Sequence, residues 1–196
     1  MQALEELRAK NTLCTACDLA DKRRNVVFGE GNPYSPLVIV GEGPGDQEDA
    51  SGRPFVGRGG QLLTKALQDA GISREQVYIC NTVKCRAADW STGKPQNRPP
   101  SNEETLKCRQ WLIPQLSIIA PKVILCIGAP SAKNLIKRSF KITQERGTEF
   151  PSDYSEVILA SLHPSYILRQ QRPGNDGGYG LLVADMQKAW RIATSF

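Results

Sequence analysis

Six cysteines and a single histidine hold most of the reactive chemistry of this 196-residue sequence. Cys14-Thr-Ala-Cys17 sets two thiols two residues apart, a gap that lets two thiolates bind one metal or one cluster corner. Cys85 lies between Lys84 and Arg86, and Cys108 between Lys107 and Arg109. Neighbouring cations favour the thiolate, the form that binds metal. Cys14, Cys17, Cys85 and Cys108 therefore make a candidate all-thiolate site, which zinc and an iron–sulfur cluster would both accept. Cys80 and Cys126 stand inside apolar runs and read as core residues.

His163 occurs in Ser161-Leu-His-Pro-Ser-Tyr166, after an apolar run and before a proline that fixes the turn, a place suited to function. A Ser-His-Asp or Cys-His mechanism has little support, with no second histidine and no evident nucleophile pair. The other unusual stretch is Gly41-Glu-Gly-Pro-Gly45, followed by Gly52-Arg-Pro-Phe-Val-Gly57. Such a turn either punctuates a strand-to-helix passage or lets backbone N–H groups come close to a ligand. It is not a phosphate loop, because no Gly-Lys-Ser/Thr follows, and no Gly-x-Gly-x-x-Gly opens a helix, which argues against an NTPase or a dinucleotide enzyme.

Continuous β-branched runs at Leu37–Val40, Val77–Cys80, Val123–Ile127 and Val157–Ala160 predict strands buried on both faces of a parallel sheet. Helical patterns fall between or after them, at Gln61–Ala70, Glu103–Leu116, Ser131–Lys137 and about Leu181–Ala193. Ser101-Asn-Glu-Glu104 is a capping box for the second, and Gly71 suits a C-cap for the first. The alternation predicts a three-layer α/β/α sandwich with a central, mainly parallel sheet. Ligands bind at the carboxyl ends of such strands, so the segments after the four strands are expected to line one pocket.

The formal net charge is +5 and the sequence pI about 8.9, a modest excess with two basic groupings: Lys84, Arg86, Lys94, Arg98, Lys107 and Arg109, and Lys133, Lys137, Arg138 and Lys141. A solvated face explains either grouping more often than DNA does. No apolar stretch approaches a membrane span, and Met1–Lys10 is polar. The expectation is a cytoplasmic protein with reduced thiols, one domain over residues 1–196 with an N-terminal cluster-binding segment, and a monomer.

The glycine-rich pair of motifs, Asn81-Thr-Val-Lys-Cys85, His163-Pro-Ser-Tyr166 and the four cysteines, in this order, resemble the family 4 uracil-DNA glycosylases, the iron–sulfur branch of their superfamily. The resemblance runs from Cys14 to the final helix. It implies the α/β/α fold, a structural four-iron four-sulfur cluster on Cys14, Cys17, Cys85 and Cys108, and hydrolysis of the N-glycosidic bond of uracil in single- or double-stranded DNA. It implies Phe55 as the ring that stacks on an extruded base and Asn81 as the amide that meets uracil N3–H and O4, rejecting cytosine by its opposite polarity. Asn97 is a second binding candidate, and Ser165 belongs to the histidine motif. His163 is the implied donor to uracil O2, stabilising the charge of the departing base. Gly43 stands where other branches carry a catalytic Asp, so backbone groups would hold the water with Glu48, the preferred carboxylate, or Glu42 nearby. Gly45 replaces a bulky residue that excludes the thymine methyl in another branch. Gly57, Gly59 and Gly60 would let the backbone approach phosphates at a helix start.

Three other readings compete. A covalently trapping iron–sulfur branch shares the glycine motif and Thr143-Gln-Glu-Arg-Gly147, but captures the sugar with a histidine between the third and fourth cluster ligands, and residues 87–106 contain none. Turnover is therefore expected. A non-catalytic four-cysteine DNA-binding module has no need of Asn81 and His163 at strand ends. A nucleotide-binding or redox protein would use the glycine turn and the cluster.

Overall fold

The computed structural model describes residues 1–195. In chain order the elements are α1 (Gln2–Thr12), α2 (Leu19–Lys22), β1 (Glu30–Gly31), β2 (Leu37–Gly41), α3 (Asp46–Ser51), α4 (Arg58–Asp69), β3 (Tyr78–Asn81), β4 (Ala88–Asp89), β5 (Gln96–Asn97), α5 (Asn102–Ile119), β6 (Val123–Ile127), α6 (Ala129–Leu135), α7 (Ile142–Glu145), β7 (Val157–Ser161), α8 (Pro164–Gln170) and α9 (Tyr179–Thr194), with a 3-10 turn at Arg74–Gln76 before β3.

The four apolar runs form the centre of a five-stranded sheet of order β1-β3-β2-β6-β7. β3, β2, β6 and β7 are mutually parallel, and β1 joins β3 antiparallel. Alternate residues of the central strand β2 serve opposite layers, as the pleat requires. Leu37 and Ile39 pack with Leu63, Leu67 and Met186 of α4 and α9. Val38 and Val40 pack with Leu112 and Leu116 of α5, joined by Leu4 of α1. All of these side chains are essentially shut off from water, each worth about 1.5–3 kcal/mol of burial. The result is the expected three-layer α/β/α sandwich.

The register gathers the strand ends. Gly41 lies level with Asn81, and Ile127 level with Ser161, so the loops that follow all leave the sheet on one side. β7 is flanked by a short antiparallel bridge, in which Phe150 and Ile158 exchange backbone hydrogen bonds of 2.9 and 3.0 Å.

Differences from the sequence reading have local causes. The helix after the glycine motifs starts at Arg58 rather than Gln61, because Gly57 is its extended N-cap. The last helix begins at Tyr179, two residues earlier than expected, behind Gly178 in the left-handed region. The polar N-terminus is the helix α1, anchored by buried Leu4 and Asn11. Pro164 does more than fix a turn: it is the first residue of α8, where a missing N–H costs nothing.

The capping box at α5 forms as expected: Ser101 Oγ accepts from Glu104 N at 3.1 Å, and Glu104 Oε2 accepts from Ser101 N at 2.7 Å. The same carboxylate takes Arg98 at 2.7 and 2.9 Å. Ser101→Ala should lower the unfolding free energy by about 1 kcal/mol, read as a lower urea midpoint with an unchanged slope.

Candidate active site

A cavity of about 730 Å³ opens where the strand ends gather. It draws on all four expected segments: Glu42–Gly45 after β2, Asn81 at the end of β3, Gly128–Pro130 after β6, and Leu162, His163 and Ser165 after β7. Phe55, Glu48 and Asn97 line it as well.

The wall between β2 and α4 is fastened by one carboxylate. Glu48 Oε2 accepts from Gly45 N at 3.1 Å, while Oε1 accepts from Val56 N at 2.9 Å and Gly57 N at 2.8 Å. Hydrogen bonds to an ionised acceptor are stronger than neutral ones, so Glu48 joins the two glycine motifs across α3. Phe55, just before this junction, has a positive φ of 52°, unusual for a bulky residue. Gly60 makes the conformation possible, because a Cβ there would overlap the Phe55 carbonyl. Arg74 Nη2 secures the same loop from behind, donating to Pro54 O at 2.6 Å and to Glu30 Oε1 at 3.0 Å. The third glycine thus answers to Phe55 packing, a reason internal to the fold.

Asn81 is 1% exposed, and its Oδ1 has no hydrogen-bond partner among the described residues. Leaving such a buried acceptor unpaired costs about 1–3 kcal/mol, which points to a ligand that supplies a donor. The atom sits beside the Gly41 Cα and the Phe55 ring, and a Cβ on Gly41 would collide with both. Asn97 is on β5, exposed at the mouth. Its Oδ1 accepts from Arg86 Nε at 2.7 Å, and Arg86 Nη1 in turn donates to Asp46 Oδ1 at 2.6 Å.

His163 is the N-cap of α8, and its Nδ1 accepts from Ser165 N at 3.1 Å. A ring that accepts at Nδ1 while neutral carries its proton on Nε2. Burial, reinforced by Arg169 and opposed by Glu48, pulls the imidazolium pKa down to about 4, so the ring is a neutral donor at ordinary pH. Its centroid lies 6.1 Å from that of Phe55, at 33°. Glu42 lines the cavity with no hydrogen bond to its carboxylate among the described residues, and burial pushes its pKa up.

Cys14, Cys17, Cys85 and Cys108 line a second, smaller cavity between α1, α2 and α5. Three of the sulfurs receive N–H groups: Trp111 Nε1 donates to Cys14 Sγ at 3.1 Å, Lys84 N to Cys108 Sγ at 3.2 Å, and Arg23 Nη1 to Cys85 Sγ at 3.6 Å. Burial pushes the Cys85 thiol up to about 12 and raises Cys108 as well, with Arg23 and Lys84 opposing it respectively. Thiolates here need compensating positive charge, which a metal centre and the N–H donors supply. Among the described residues no three Cys, His, Asp or Glu side chains are grouped to hold a single ion, while all four sulfur-bearing residues line the one small cavity. The donor set fits a cluster.

The model of the family described as "Uracil DNA glycosylase superfamily" matches residues 28–191. A type-4 uracil-DNA glycosylase of Thermotoga maritima is 46% identical over 159 residues, covering 81% of this chain and 79% of the relative. Type-4 uracil-DNA glycosylases of Pyrobaculum aerophilum and Sulfurisphaera tokodaii are 40% and 37% identical, over 87% and 86% of this chain and 85% and 77% of their own lengths. The chain belongs to the type-4 uracil-DNA glycosylase family. The superfamily match begins after Cys14 and Cys17.

The structure of this family member also corrects the reading of its charges. Lys84 and Arg86, grouped by sequence with a surface patch, are 0% and 7% exposed. Lysine and arginine are mostly surface residues, and no local pattern marked these two as internal. The Glu30–Arg74 support of the Phe55 loop went unseen for a similar reason: 44 residues separate the partners.

Below pH 6.5 an unfolded chain protonates His163, whereas the folded site refuses the proton until about pH 4. This histidine therefore withdraws stability as pH falls through that window. The urea midpoint should drop less between pH 6.5 and 5 in His163→Gln than in the wild-type protein.

Proposed function

We propose that this protein hydrolyses the N-glycosidic bond of uracil in DNA, and that the four cysteines hold a four-iron four-sulfur cluster. The observation that carries the first part is the unpartnered Oδ1 of Asn81, enclosed beside the Phe55 ring. An extruded uracil stacked on Phe55 offers N3–H to that oxygen and O4 to the Asn81 amide nitrogen. Cytosine presents an acceptor and a donor at those positions, leaving both halves of the amide unpaired. Asn97, held by Arg86, borders the same base pocket.

Bond cleavage sends the C1′–N1 electron pair onto uracil, and the sugar becomes electron-poor. The Nε2–H of neutral His163 donates to uracil O2 as that charge develops, a preorganised stabilisation of the oxyanion-hole type. Water adds to C1′ and loses a proton. Sequence resemblance favoured Glu48 for this step, but its carboxylate is occupied by three backbone donors. Glu42, free and half-buried, is the better carboxylate to orient the water beside the open backbone of Gly43. Glu48 keeps the wall in shape, and Gly45 and Ser165 act through backbone N–H groups to Glu48 and His163.

The cluster, when bound, is structural: it ties α1 and the Cys14–Cys17 segment to the end of β3 and to α5. Four sulfurs lining one small cavity, three with N–H donors, support a four-thiolate centre, and the family resemblance makes a cluster rather than zinc its occupant. A single domain acting as a cytoplasmic monomer on uracil-containing DNA, single- or double-stranded, completes the reading; six unbridged cysteines suit a reducing compartment.

The test uses protein purified without oxygen, in excess over a uracil-containing single-stranded oligonucleotide. Alkali-sensitive sites should form with no protein–DNA band on a denaturing gel, and His163→Ala should slow the step by ~10²–10³. Absence of sites from cluster-bearing protein overturns the proposal, and a stable band replaces turnover by trapping. The single-turnover rate should show no step near pH 6.5, because His163 is already neutral there. It should fall on the acid side at a pH above the usual carboxylate range, and Glu42→Gln should abolish that fall.

A further inference from the structure

Lys84 is fully buried, with a relative exposure of 0%, and no carboxylate pairs with it among its hydrogen bonds. A buried ammonium is costly unless its donors are satisfied. Here Nζ donates to Asn81 O at 2.9 Å and to Gln115 Oε1 at 2.6 Å, and lies 5.7 Å from the Phe28 ring centroid. Gln115, also 0% exposed, spends its own amide nitrogen on Phe28 O and Tyr78 Oη, both at 3.0 Å. The backbone of the same lysine donates to Cys108 Sγ and accepts from Val27 N at 2.7 Å. One residue therefore reaches the base-reading asparagine, the C-terminal half of α5 and a cysteine of the proposed cluster.

We infer that Lys84 is a positioning residue for base recognition: it fixes Asn81 by bridging its carbonyl to Gln115, and so transmits the rigidity of the cysteine site to the uracil pocket. The inference rests on the reading of Asn81 as the group that meets the base. A sheet and a helix alone would not need a lysine here, since an apolar side chain of similar length would fill the space without desolvating a charge. What the lysine adds is a directional tether three residues from Asn81, at a strand end where β pairing stops. Asn81 must hold its amide in one orientation against an incoming base, and looseness in its backbone would spoil that geometry.

The experiment measures inhibition by free uracil, which reports the base pocket alone, beside affinity for DNA carrying an abasic-site analogue and visible absorbance per protein. The proteins are wild type, Lys84→Met, Gln115→Met, the double variant and Asn81→Ala. Lys84→Met should raise the uracil inhibition constant about tenfold, the loss of one hydrogen bond to a charged group, with abasic-DNA affinity within about twofold and absorbance retained. General destabilisation would lower the active fraction and leave the inhibition constant unmoved. Gln115→Met should act in the same direction, and the double variant should be no worse than the worse single, because both cut one bridge. An unchanged inhibition constant in cluster-bearing Lys84→Met, or additive losses, overturns the inference. If Lys84→Met fails to keep its absorbance, Gln115→Met decides by the same criterion. Inhibition that Asn81→Ala leaves unaltered would remove the reading of Asn81 itself, and this inference with it.

Discussion

Everything at the active site hangs on the way one carboxylate, that of Glu48, collects three backbone N–H groups from two separate turns. Strand β2, buried along its whole length, ends at Gly41, and the chain must travel to α4 on the neighbouring layer without filling the space above the sheet. Glycine and proline make that detour sterically possible but do nothing to hold it. Glu48 holds it, by pinning the start of α3 to the start of α4 and leaving Phe55 standing between them. Strain at Phe55, with its positive φ, persists because Glu48, Gly60 and Arg74 over-determine the loop. The cavity is thus the space left beneath a cramped bridge.

The opposite wall depends on a different economy. Asn81, the last residue of β3, and Lys84 and Cys85 just beyond it share one short segment, and each faces a different neighbour: cavity, helix core and cysteine site. A segment this short serves three places because it leaves the sheet at its centre, where β2 and β3 run parallel and in register. Polar groups concentrated there are buried together: Lys84 and Gln115 satisfy one another, while the Asn81 side-chain amide makes no hydrogen bond among the described residues and its oxygen is shut off from water. Buried polar networks of this kind specify a single arrangement when every member but the functional one is paired.

The sheet and the main helices were legible in the sequence because apolar β-branched runs and the Ser101–Glu104 box are local signals. The convergence of Asn81 and His163 was legible through the rule that ligands gather at the carboxyl ends of parallel strands, whereas Phe55, between α3 and α4, was named only through the family resemblance. The distinction between Glu48 and Glu42 was not. Both stand in one acidic, glycine-rich stretch, and only the path of the chain shows that one is consumed by backbone donors. Lys84 was misread as a surface cation because burial of a lysine is decided by Gln115, 31 residues away. The helix α1 was missed since its polar residues outnumber the few that dock it.

Both flanks of the sheet end in very short antiparallel pairings. On one side β1, two residues long, lies along β3; on the other the Phe150–Ile158 bridge lies along β7. Unpaired strand borders are templates on which a second chain can add, and natural proteins blunt them with short or covered strands. Here the apolar parallel strands are enclosed on both sides by segments too brief to extend the ladder. The apolar sheet at the centre is thereby left, among the described residues, without a long bare edge on which a second chain could add.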